Sequence, residues 1–118
     1  MSMNTNVNVN KESFRVDQSV HGNEYVLSLH GELDLSVVPL LTDAVEPVLR
    51  REDYALVMDL QKLTYIDSTG IGIIVSILKT RDSINAPFFV RNIPERVSRL
   101  FSLTGLTAYL KDGTEAGT

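Results

Sequence analysis

The chain has 118 residues, 43% of them hydrophobic and 22% charged, which suits one globular domain large enough to bury its own core. A net charge of −4 without a basic cluster leaves no electrostatic footprint for nucleic acid or for an anionic membrane surface. The absence of cysteine excludes disulfides, thiol nucleophiles and zinc–thiolate sites, and it suits a reducing compartment.

The first residues, MSMNTNVNVN, have neither a charged start nor an apolar core, so no secretory signal is expected and the expected location is the cytoplasm. Residues 1–11 read as a polar, Asn-rich tail, 12–112 as the folded domain and 113–118 as a C-terminal tail. SFRVDQSV (13–20) alternates apolar and polar residues as an outer strand does. His21-Gly22-Asn23 signals a turn, and EYVLSLHG (24–31) is a second strand, antiparallel to the first.

LSVVPLLTDAVEPVLRR (35–51) predicts a helix with Ser36 at its N-cap and Pro39 in the tolerated first turn; Pro47 is expected to kink or loosen its last turn. YALVMDL (54–60) is a continuous apolar run that predicts a strand buried on both faces. A second helix is expected over 69–83, a buried strand over 87–92, and a third helix over 94–105 that starts at Pro94 and stops at Gly105. LTAYL (106–110) predicts a short final strand or a packed tail. The fold class expected is therefore α/β: a mostly parallel sheet of four to five strands with one antiparallel edge strand, packed with helices.

The most informative stretch is YIDSTGIGIIVSILK (65–79). On a helical period, Ile71, Ile74, Val75 and Leu78 form the core stripe, while Ile73 and Ile77 lie on a neighbouring flank. That flank is covered by another element such as the third helix, or it helps a partner dock. Asp67 or Ser68 caps the helix, yet the same N-terminus accommodates a phosphate through its unpaired N–H groups and dipole. Gly70 and Gly72, each unfavourable in a helix by about 1 kcal/mol relative to Ala, point to close approach at that terminus.

Catalytic readings find little material. Ile66 stands where a G-x-S-x-G element needs its first glycine, and His21 and His30 both belong to the early hairpin. No phosphate loop, paired carboxylates or metal-ligand spacing is visible, so no cofactor and no metal are expected. Arg96 and Arg99 on the third helix read as a solvated face.

GELDLSVVP (31–39), VMDLQKLTYIDSTGIGIIVSILK (57–79) and NIPERVSRLFSLTGL (92–106) together resemble a STAS domain, most closely the bacterial anti-sigma factor antagonists of the stress-response and sporulation type. The resemblance covers roughly residues 12–110, and D-S-T-G-[IL]-G after a buried strand is its specific element. It implies a non-enzymatic regulator whose partners are an anti-sigma factor that is also a serine kinase, and a serine phosphatase. It places the phosphorylated residue at Ser68, with Thr69 as the alternative acceptor. Partner contact is expected at Asp34, Asp67, Ser68, Thr69, Gly70, Gly72, Ile73 and Ile77, without direct contact to nucleic acid or membrane. Pro47 and Ser36-Val37-Val38 depart from the family pattern. Two other readings remain open: a response-regulator receiver phosphorylated on Asp59, and a STAS scaffold module in a larger signalling assembly.

Overall fold

A computed structural model describes residues 9–11 and 13–103. Five strands form one sheet in the order β1-β2-β3-β4-β5: β1 (Val9–Lys11), β2 (Phe14–His21), β3 (Glu24–Leu33), β4 (Ala55–Ile66) and β5 (Phe88–Arg91). The pairs β1–β2 and β2–β3 are antiparallel, whereas β3–β4 and β4–β5 are parallel. The helices are α1 (Val38–Leu49), preceded by a 3-10 turn over Leu35–Val37, then α2 (Ser68–Ser83) and α3 (Glu95–Leu103). This is the α/β arrangement expected, with one addition at its edge. Val9–Lys11 pairs with β2 inside the stretch read as tail, so β2 is an inner strand. Ladder pairing uses backbone groups, which an Asn-rich segment supplies as well as an apolar one. The expected stop at Gly105, the strand over 106–110 and the tail over 113–118 lie outside the described residues, as do residues 1–8.

Register shows why one face is core. The row Leu27, Met58, Val90 and the neighbouring pair Val16–Leu29 place apolar side chains on the face that α1 and α2 cover, with Gln18 exposed at the end of that row. α1 contributes Leu41, Ala44, Val45 and Val48, and α2 contributes Ile71, Ile74 and Ile77, to the same cluster. The adjacent row, Asp17, Ser28, Asp59 and Arg91, belongs to the opposite face, where Arg91 bridges Glu24 at 2.8 Å.

β4 is longer than its apolar run. Residues 55–58 are buried whichever way they point, as a strand covered on both faces requires, but the strand continues to Ile66. Its second half buries Leu60, Leu63 and Ile66, a spacing of three that no regular strand gives. The register with β3 shifts between Ser28 and His30 and again between Gly31 and Glu32. Each bulge inserts one residue into β4 and returns the next apolar side chain to the core face. Gly31 sits beside the second shift at φ +93°, and a Cβ there would meet the Ser13 carbonyl oxygen at 1.9 Å.

The end of α1 has an unusual support. The helix runs through Pro47 and ends two residues later. Arg81 of α2, fully buried, donates to the carbonyls of Val48 and Leu49 at 3.2 and 3.1 Å, and to those of Arg51, Tyr54 and Pro87 at 2.7, 2.6 and 3.0 Å. Burial pulls the pKa of this guanidinium down from its ordinary value, but an arginine stays charged in proteins. A cation at the negative end of α1 therefore ties the helix to the strand edge and replaces the hydrogen bonding its last turn lacks.

Candidate functional site

The parallel strands β3 and β4 end side by side, with Leu33 paired to Ile66. Each is followed at once by an aspartate that caps the next helical element. Asp34 Oδ1 accepts from the Ser36 N–H at 2.9 Å and from the Ser36 hydroxyl at 2.7 Å, starting the 3-10 turn. Asp67, in extended conformation, accepts from the Gly70 N–H at 2.9 Å and starts α2. Its own N–H donates to the Leu33 carbonyl at 3.2 Å, so the two caps share one rim. This is the end of a parallel sheet where α/β folds present ligand-binding loops. The cap expected at Ser36 is Asp34 for the 3-10 turn, because a carboxylate two residues earlier reaches both donors of Ser36, and α1 itself follows from Val37 without a side-chain cap.

Ser68 is the first residue of α2, exposed, and its hydroxyl has no hydrogen-bond partner among the described residues. Thr69 beside it is partly buried. The N–H groups of both lie in the first turn, where no intrahelical acceptor exists. With Asp67 occupied by Gly70, those donors remain available to an anion on Ser68.

The glycines divide by role. A Cβ on Gly70 would stand 2.8 Å from Ile66 Cγ1 and from Leu33 Cγ, and 3.0 Å from the Leu33 carbonyl oxygen. Gly70 thus lets α2 press against the strand ends and is not a partner-facing position. A Cβ on Gly72 would meet nothing within 4 Å, so that position opens to solvent.

The isoleucine flank also divides. Ile77 is 5% exposed and belongs to the core, while Ile73 is only partly buried. α1 is what lies against this flank: Ile73 and Ile77 share a cleft with Val45 and Leu49.

Two members of the rim escaped sequence reasoning. Leu35 is 68% exposed and Tyr65 is 49% exposed, and they flank Asp34 and Asp67. Their signal was an apolar residue within two positions of each aspartate. Reading Tyr65 as outward-facing needs the two bulges of β4, which periodicity hides.

Asp59 does not sit at a strand end. It lies within β4, where its Oδ1 accepts from the Gln61 N–H at 2.9 Å and from the Asn92 amide at 3.1 Å. Among the described residues no group of three His, Asp or Glu side chains is placed to hold a metal ion, so the acidic pocket a receiver uses is not assembled around it. Nor is any helix among them long and apolar enough to cross a membrane.

Comparison with known proteins agrees with this geometry. The STAS domain family model matches residues 15–115. The anti-sigma-B factor antagonist of Staphylococcus epidermidis is 30% identical over 105 residues, covering 87% of this chain and 97% of its own. The crystal structure of an anti-sigma factor antagonist from Mycobacterium paratuberculosis superposes with a TM-score of 0.74 at 26% identity, covering 89% of this chain and 94% of its own. The Bacillus cell fate determinant SpoIIAA, in its phosphorylated form, has the same fold with a TM-score of 0.64 at 18% identity, over 83% of this chain and 88% of its own.

Proposed function

The chain belongs to the STAS domain family, and from that premise we propose that it is an anti-sigma factor antagonist switched by phosphorylation of Ser68. The unmodified form binds an anti-sigma factor that is also a serine kinase, and so frees a sigma factor. A serine phosphatase resets the modified form, and the chain itself catalyses nothing. The names of its relatives support the antagonist role. The single observation that carries the choice of residue is the exposed hydroxyl of Ser68, without a partner among the described residues, on the capped rim shared by β3 and β4.

The rim combines exposed apolar surface, Leu35 and Tyr65, with the carboxylates of Asp34 and Asp67. Such a surface suits a partner that brings aliphatic and basic side chains. Phosphorylation adds a charge of about −1.5 to −2 at neutral pH. The first-turn N–H groups of α2 tolerate that charge, so the fold persists. Docking does not tolerate it, because the phosphate must be desolvated beside Asp67. An uncompensated charge in an interface costs about 2–5 kcal/mol, roughly a 30- to several-thousand-fold loss of affinity.

The test is a pull-down with wild-type, Ser68→Ala and Ser68→Asp baits. Wild type and Ser68→Ala should retain the same ATP-binding kinase, and Ser68→Asp should lose it. A Ser68→Ala protein that still accepts phosphate from that kinase shows the residue to be misassigned.

A further inference from the structure

We propose that the cleft between α1 and α2 is a second part of the partner interface and receives an amphipathic helix of the anti-sigma factor, with a basic residue on that helix meeting Glu46. This rests on the reading of Ser68 given above.

α1 and α2 both begin at the rim, after strands that end at the paired residues Leu33 and Ile66. The cleft between them measures about 520 Å³ including its open side. Its floor is Val45 and Ile77, 2% and 5% exposed, and its walls are Leu49 and Ile73. Ser76 and Glu46 stand exposed at the mouth.

Three features select the occupant. First, the cleft continues the rim: Thr69, Ile73, Ser76 and Thr80 recur at helical spacing along one stripe of α2, so its edge leads into the neighbour of Ser68. Secondly, the lining is aliphatic in depth and hydroxylated at the edge, the pattern that takes i, i+3/i+4 anchors of a docked helix. Thirdly, among the described residues Glu46 is the one charged member of the lining, so the occupant carries positive charge. The cleft then supplies affinity that phosphorylation leaves in place, while the rim decides whether the complex closes.

The experiment uses the kinase retained by the wild-type chain, purified and titrated by calorimetry against wild type, Ser68→Asp, Ser76→Trp and Glu46→Arg. Ser76 and Glu46 are exposed, and thermal melts of each variant verify that it folds. Ser76→Trp, which closes the mouth, and Glu46→Arg, which opposes the cation, should each weaken binding at least ~10-fold. A photo-crosslinking residue at position 76 should join a Lys- or Arg-bearing helix of the kinase. If both cleft variants bind as wild type while Ser68→Asp does not, the cleft proposal is overturned and the Ser68 switch stands. Cross-linking to a second copy of this chain, or to a strand or loop of the kinase, also overturns it. If Ser68→Asp binds as tightly as wild type, or no protein is retained in a Ser68-dependent way, the switch and the cleft proposal fall together.

Discussion

Replacing Arg81 by Met should destabilise the domain more than any other substitution of a charged residue. The guanidinium is fully buried and donates to five carbonyl oxygens. Two of these have another donor: Val48 accepts from the Arg51 N–H at 3.0 Å and Pro87 from the Leu56 N–H at 3.1 Å. The carbonyls of Leu49, Arg51 and Tyr54 have Arg81 as their side-chain donor. Leaving a buried acceptor without its partner costs about 1–3 kcal/mol. Not all three lose water completely, so the expected loss for Arg81→Met is about 3–6 kcal/mol, a large fraction of the roughly 5–15 kcal/mol that holds a domain together. Arg81→Lys keeps the charge but cannot span both sides of the fork, so it should fall between the two. Urea unfolding at neutral pH measures the differences, with an unchanged slope showing that the same surface is exposed. An Arg81→Met protein within about 1 kcal/mol of wild type would refute the reasoning, because it would mean the carbonyls find other donors.

Other substitutions separate local from tertiary causes. Gly70→Ala drives a Cβ into Leu33 and Ile66 and should cost about 1–3 kcal/mol in thermal or denaturant unfolding. Gly72→Ala, two residues further along the helix in open space, should instead stabilise by roughly 0.5–1 kcal/mol through helix propensity, a contrast one set of melts resolves. Asp67→Ala removes the cap on the Gly70 N–H and should cost about 0.5–2 kcal/mol, read by the same denaturation. Hydrogen bonding from Arg91 holds the Glu24 carboxyl below its ordinary value of 4.5. Its folded pKa being depressed, the stabilisation is present above 4.5 and is lost as pH falls through the folded value. Unfolding of wild type and Glu24→Gln should therefore differ by a constant amount near neutrality and converge in acid.

The order of strands and helices was legible because it rests on short-range signals: the turn at 21–23, the apolar run of β4, and prolines at helix starts. Ser68 at the head of α2 was legible for the same reason, since an acid followed by hydroxyls and an apolar period marks a helix start whatever surrounds it. β1 was not, because pairing through the backbone leaves no pattern in the side chains. The flank formed by Ile73 and Ile77 could not be resolved either. Both fit one arc of a helical wheel, and only the position of α1 makes Ile77 floor and Ile73 wall.

By itself, the sequence determined the layered α/β class and the placement of Ser68 at a helix entrance, for capping and periodicity act within a few residues; that Asp67 is the cap and leaves the Ser68 hydroxyl free of that role came from the structure. Only the tertiary structure decided that Asp34 and Asp67 share a rim, that bulges turn Tyr65 outward, that Gly70 serves packing and that Arg81 closes α1. Those outcomes depend on register and on contacts across 30 or more residues of chain, as between Arg81 and Val48, and a local pattern carries no record of them.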